Sequence, residues 1–357
     1  MEKQTPLYQK HLDAQGRIVP FAGYLLPVQY PTGVIAEHMA VRQQAGIFDV
    51  SHMGEIYLEG PDAEANLNHI LTNNFTGMPV GSCRYALMLY ENGGQVDDLI
   101  VYKMSDVKFF VVLNASNTEK DIAWFRQHLS GNCTLTDLSD ATAQIALQGP
   151  DSKKIITALC NEAGLPQKYY TFVPELTVAG APCLVSRTGY TGEFGYELYM
   201  SPADAPKVWD ALLAQGAIPC GLGCRDTLRL EAAMPLYGHE LGEEVNALAA
   251  GLSFAIKMDK ADFIGKSALE QQQDPARLRV GLKVTGRGIV REHESIVKDG
   301  QEVGQTTSGT HCPYLGGAYA MAYLDKELCA PGTAVEVMVR GRSIAAEVVP
   351  LPFYKRA

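Results

Sequence analysis

Three strand-like runs in the first third of the chain set the pattern from which the rest is read. Tyr85-Ala86-Leu87-Met88-Leu89-Tyr90 has strand character, Glu91-Asn92-Gly93-Gly94 supplies turn chemistry, and a second strand follows from Val96 to Met104. After Ser105-Asp106-Val107, the run from Phe109 predicts a third strand ending at Asn114, whose amide both donates and accepts hydrogen bonds. Side chains alternate along a strand, so Asp98, Ile100, Tyr102 and Met104 share one face while Asp97, Leu99, Val101 and Lys103 share the other. That parity groups Asp98, rather than Asp97, with aromatic and apolar side chains. A carboxylate in such company needs a partner. The residues alone leave two readings open, a structural or edge-exposed Asp pair and an acid satisfied by a ligand.

The flanking pattern is mixed. Val34, Ile35, His38, Val41 and Ala45 recur at helical spacing after Thr32, a cap candidate, with Gly46 as the stop. His38 on that face reads as a packing residue. Phe48-Asp49-Val50-Ser51-His52-Met53-Gly54 predicts a strand entering a turn, with His52 and Met53 either in the core or beside the hairpin. A helix over about 62–71 buries Leu67, Ile70 and Leu71. Another starts at Thr118, where Thr118 and Asp121 form a capping-box-like signature ahead of Ile122, Phe125 and Leu129. Residues 51–139 therefore read as a compact α+β unit.

Further along, Cys183-Leu184-Val185-Ser186 feeds a loop with glycines at 189, 192 and 195. Their period of three is not that of a dinucleotide loop. Either backbone approaches something flat there, presenting Tyr190 and Glu197, or the loop is a plain hairpin connection. Gly221-Leu222-Gly223-Cys224-Arg225-Asp226-Thr227 looks like a glycine loop feeding a helix, with Asp226 and Thr227 as cap candidates and Arg225 strengthening an anion-attracting start. The alternative is a solvated helix surface. Beyond Gln271-Gln272-Gln273-Asp274-Pro275, alternation at Val335, Val337 and Val339 and the Asp299-Gly300 turn predict a small β-barrel or sandwich over 277–357.

Length and charge narrow the function classes. A chain of 357 residues exceeds the ~250–300 that one core usually serves, so two or three domains are expected. A net charge of −10 repels phosphate backbones and anionic lipid, which argues against nucleic acid and membrane as partners. No apolar leader opens the sequence and no apolar run approaches ~18 residues, so the expected location is cytoplasmic. The eight cysteines are scattered and read as buried thiols. Cys220 and Cys224 lack a second pair and no histidines form a ligand pair, so no metal is indicated. Gly265-Lys266-Ser267 is not a P-loop end, because Lys260 stands where the earlier glycine is required.

Six further runs occur in order along nearly the whole chain: Thr5-Pro6-Leu7-Tyr8, Phe48 to Met53, Gly93 to Tyr102, Arg187 to Glu193, Gly221 to Glu231 and Phe263 to Leu269. Together they resemble the aminomethyltransferase, or T-protein, family of the glycine cleavage system. The resemblance implies an α+β, three-lobed fold around a central hole: a discontinuous folate-binding domain from 1–50 and 140–270, an inserted domain over 51–139 carrying the Asp98 strand, and a C-terminal β-barrel over 277–357. It implies tetrahydrofolate as the one-carbon acceptor and lipoylated H-protein as the partner that delivers an aminomethyl group. Matched position by position, Asp98 falls on the family's acid at the pterin. Met53, Tyr85, Tyr102, Asn114 and Tyr190 fall on pterin-pocket positions, Glu197 and Arg225 on other folate contacts, and Tyr354 on a contact from the carboxyl terminus. Tyr24 stands where the family usually has Trp, and Cys312 where Ser is usual. Two other readings share this fold: a tetrahydrofolate-dependent demethylase of a small methylated substrate, and a non-catalytic folate-binding iron–sulfur assembly factor. The latter's K-G-C-Y-x-G-Q motif is absent, since the corresponding run, Phe263 to Leu269, has no cysteine.

Overall fold

The Gly93-Gly94 turn closes the hairpin that the alternation predicts. In the computed structural model, which describes residues 2–356, strands Cys83–Leu89 and Gln95–Ser105 pair antiparallel, with Tyr85 opposite Ile100 and Leu87 opposite Asp98. Lys108–Leu113, Gly54–Glu59 and Thr134–Asp137 complete a five-stranded antiparallel sheet in that spatial order. The Asp98 strand is therefore interior to the sheet, so the pair is not edge-exposed. One face packs under helices Ala63–Ile70 and Thr118–His128 through Leu67, Leu99, Val101 and Phe125. The opposite face presents Tyr102 and Phe110, which pack on Phe172 and Tyr199 of a second sheet.

That second sheet runs Phe172–Val178, Ala181–Ser186, Gly195–Met200, Ala143–Gln148, Gly46–Asp49 and Ile218–Pro219. The chain leaves it after Asp49, builds the five-stranded sheet, and returns at Ala143. A closed six-stranded barrel occupies the C-terminal part, from Arg277–Val284 to Arg342–Val349. Its Asp299-Gly300 hairpin has positive φ at both residues, 51° and 78°, as a tight turn between twisted strands demands. All eight cysteines are free. No helix among the described residues is long and apolar enough to cross a membrane.

Three local expectations are corrected. Helix Val34–Gln43 is preceded by Gly33 at φ 82°, not capped by Thr32, and Gly46 opens a strand instead of stopping the helix. A Cβ at Gly46 would lie 2.5 Å from Val41 Cγ2, so close packing explains that glycine. Helix Leu222–Glu231 starts at Gly221, which leaves Asp226 and Thr227 inside it. The anion at its start is the chain's own Glu37, whose Oε2 accepts from Gly221 N at 2.9 Å. Thr118 and Asp121 make no capping box: Thr118 Oγ1 donates back to Asn114 O at 3.2 Å, and Asp121 is fully buried against the sheet. His38 is the packing residue expected, buried between Thr227 Oγ1 and Glu231 Oε2.

Candidate active site

The hairpin places Tyr85 and Asp98 side by side. Tyr85 Oη donates to Asp98 Oδ2 at 2.9 Å, and Asn114 Nδ2, from the end of the neighbouring strand, donates to Asp98 Oδ1 at 2.9 Å. Asp98 is half-buried. Burial pushes its carboxyl up and the charge of Asp97 adds to this. The hydrogen bonds from Tyr85 and Asn114 oppose both, leaving it at about 7. An acid poised there can give or take a proton near neutrality. Asp97, one residue away, has no solvent exposure, and its Oδ1 accepts from both Asn114 and Asn117.

Tyr85 also forms part of the wall of an open cavity of about 530 Å³, together with Tyr170, Phe254, Arg84 and Lys257. The acid thus lies directly behind one wall of that cavity. Phe254 is 60% exposed and lies nearly parallel to Tyr85, with ring centroids 5.8 Å apart and planes inclined at 26°. Tyr170 is held at φ 59°, a region that aromatic residues seldom enter. Its position is fixed by Cys83 N, which donates to Tyr170 O at 2.8 Å.

A second group is organised by the glycine-rich loop and the start of helix Leu222–Glu231. The Arg225 guanidinium lies 4.9 Å from the centre of the Tyr190 ring and makes no ion pair among the described residues. Burial lowers its pKa, and the charges of Glu197, Tyr190 and Tyr199 oppose that. Glu197 accepts from Thr188 Oγ1 and from Gln144 Nε2. Its carboxyl is pushed up by burial, with the Thr188 bond and the Arg225 charge pulling it down. Burial pushes the Tyr190 hydroxyl up, Arg229 and Arg225 draw it down, and Asp98 adds to the rise. Tyr190 thus lies within reach of the charges of both Asp98 and Arg225, although Arg225 itself lines a separate small hollow with Phe48, Asp49 and Gly221. Met53 packs between the cores on either side of it. His52 is buried with an imidazole pushed down to about 4 by burial and then by Arg225, so it is neutral at working pH.

Two of the expected residues lie elsewhere. Tyr102 is fully buried between the sheets, its hydroxyl 2.9 Å from that of Tyr199. Tyr354 lies against the Arg42 guanidinium at 3.9 Å, within a buried network of Arg42, Glu193 and Glu231. Of the two departures, Cys312 is buried where helix Leu222–Glu231 meets the barrel, and Tyr24 lies edge-on to His52. Sequence reasoning missed Tyr170, Phe254, Asn117 and Asp121. Tyr170 sits in a turn and Phe254 in the single 3₁₀ turn Ser253–Ala255, both too short for periodicity to mark a face. Asp121 matches a helix-start signature, which accounts for its carboxyl without a site.

Two facing α+β sheets with a near-neutral acid behind a cavity, followed by a closed barrel, define a multidomain enzyme of small-molecule chemistry. Residues 7–260 match the family described as the GCVT N-terminal domain, and residues 277–355 that of the glycine cleavage T-protein C-terminal barrel domain. The chain is 45% identical over 357 residues to an aminomethyltransferase of Listeria monocytogenes serotype 4a (strain HCC23), covering 99% of this chain and 98% of that one. It is 43% identical over 363 residues to an aminomethyltransferase of Bacillus cereus (strain AH187), covering 99% of each. Among solved structures, glycine cleavage system aminomethyltransferase T from Bartonella henselae superimposes with a TM-score of 0.92 at 32% identity, covering 99% of both chains. The chain belongs to the glycine cleavage T-protein family, and its activity is that of an aminomethyltransferase.

Proposed function

We propose that the enzyme takes the aminomethyl group carried on the lipoyl arm of H-protein and passes its carbon to tetrahydrofolate, giving 5,10-methylenetetrahydrofolate, ammonia and the dihydrolipoyl arm. The observation that carries this reading is Asp98, held by Tyr85 and Asn114 and poised at about 7 behind the cavity wall. The residues present fit a reduced folate: Tyr85 and Phe254 offer aromatic faces to a flat ring, and Arg225 is a cation without a carboxylate partner among the described residues. Arg84 and Lys257 outnumber the single acid, Asp259, on the cavity wall of an otherwise acidic protein, which suits the carboxylates of a folate tail.

Bound tetrahydrofolate supplies a nucleophilic ring nitrogen. Asp98 would take up the proton shed there and return it to the departing group, at the carboxylate whose Oδ2 is oriented by Tyr85 and whose Oδ1 is oriented by Asn114. Such a positioned base contributes roughly 10²–10⁴ in rate. Tyr190 lies under the Arg225 guanidinium, and Glu197 stays fixed by Thr188 and Gln144. We place the reaction in the cytoplasm, since both the folate and the carrier protein are water-borne. The demethylase and assembly-factor readings are not favoured, because relatives matched over the full length are aminomethyltransferases. Turnover is tested by following methylenetetrahydrofolate formation with aminomethylated lipoyl H-protein against free methylated amines. Activity confined to the amines overturns the proposal.

A further inference from the structure

On the far face of the Asp98 strand lies a second pair of carboxyls, Asp97 and Asp121, both without solvent exposure. Asp97 Oδ1 accepts from Asn114 Nδ2 at 2.9 Å and from Asn117 Nδ2 at 2.8 Å. Asp97 Oδ2 and both oxygens of Asp121 have no hydrogen-bond partner among the described residues, and Asp121 stands one helical turn beyond Asn117, the residue that donates to Asp97, on the helix packed against this face of the sheet. Two neighbouring carboxylates with unpartnered oxygens in a dry interior cannot both be ionised. One proton held on the pair removes the repulsion.

We propose that Asp121 carries this proton, that Asp97 is thereby kept as a fixed anion beneath Asp98, and that the two are positioning residues governing proton uptake at Asp98. The inference rests on Asp98 being the base of aminomethyl transfer. Two routes connect the pair to the site. The Asn114 amide is shared between Asp97 Oδ1 and Asp98 Oδ1, so the buried anion fixes the donor that orients the reactive one. The Asp97 charge also acts directly on Asp98, in the same direction as burial.

The surrounding groups leave this effect uncancelled. Tyr85 on the neighbouring strand, Tyr170 and Tyr190 across the hollow, and Tyr237 beside the helix all have hydroxyls pushed up by burial, so they stay neutral. Lys120, from the Asp121 helix, donates to Tyr237 Oη at 2.9 Å, and Glu243 accepts from Tyr90 Oη at 2.9 Å. Burial, followed by the charge of Asp97, pushes Asp121 up to about 11, with Lys120 only partly offsetting this.

The test has two arms. Difference infrared spectroscopy on the full-length protein with carbon-13 aspartate, at a pH of about 9 where an ordinary Asp is ionised, is expected to show a protonated aspartate carboxyl that disappears in Asp121→Asn. Selective labelling excludes the buried Glu55. In Asp97→Asn, the acid limb of the kcat/KM profile is expected to move down by about one pH unit, as loss of a nearby like charge requires. An absent band in the wild type overturns the proposal without any variant having to fold, and an unmoved limb in a folded Asp97→Asn overturns it as well. If the wild type fails to turn over aminomethylated H-protein while the band is present, the assigned reaction fails and the buried proton stands.

Discussion

Asp98 concentrates the chemistry in one side chain. Asp98→Asn keeps the shape and removes the proton acceptor, so turnover is expected to fall by roughly 10²–10⁴ while folate affinity, measured by calorimetry, changes little. Because the acid must be ionised to act and titrates at about 7, wild-type kcat/KM should rise with pH through that value. A flat profile between pH values of about 6 and 8 would contradict this role. Asp121 yields a stability prediction of opposite origin. Its native pKa is pushed far above the ordinary 3.8, so the folded protein holds a proton that the unfolded chain releases. Stability is then fully present below the ordinary value and is lost as pH climbs towards the native one. Asp121→Asn removes that loss, and its melting temperature should gain on the wild type between pH values of about 5 and 8.

Single elements show what alternation can and cannot reveal. Strand parity separated Asp98 from Asp97, because a period of two fixes which face each side chain takes. It gave no hint that the face opposite the site would be as dry as the core, since that depends on helix Thr118–His128 arriving from elsewhere in sequence. The same helix misled at its start: Asp121 matches a cap by spacing, yet its carboxyl is buried and feels the charge of Asp97. The turn before the Asp98 strand carries a sharper constraint. A Cβ on Gly94 would lie 1.8 Å from Glu243 O, a backbone atom. Gly94→Ala must therefore displace either the hairpin or the segment at Glu243, and is expected to cost about 1–3 kcal/mol in urea unfolding.

At the scale of the whole molecule, the barrel was legible from short alternating strands and Gly-rich turns, and the order of family-like runs carried the rest. Sheet membership joins 46–49 to 143–219 across the excursion that builds the five-stranded sheet, whereas Leu241 to Leu269 pack on Leu87 and Leu89 of that excursion. The cavity wall was not legible, because Tyr170 and Phe254 reach it from separate loops that only tertiary packing brings together. Nor was the joint between lobes and barrel, which is made by Arg229: Nη1 meets Glu240 Oε2 at 2.9 Å and Nη2 meets Ser308 Oγ of the barrel at 2.8 Å. Arg229→Ala strands a fully buried carboxylate, so a loss of about 3–5 kcal/mol is expected by chemical denaturation.

The bond between the hydroxyls of Tyr102 and Tyr199 acts as a rivet between the two sheets, buried away from the cavity. The cavity is already open, so a guest needs no parting of the sheets to enter. What stands exposed at its wall is the Phe254 ring, the first surface a flat guest meets.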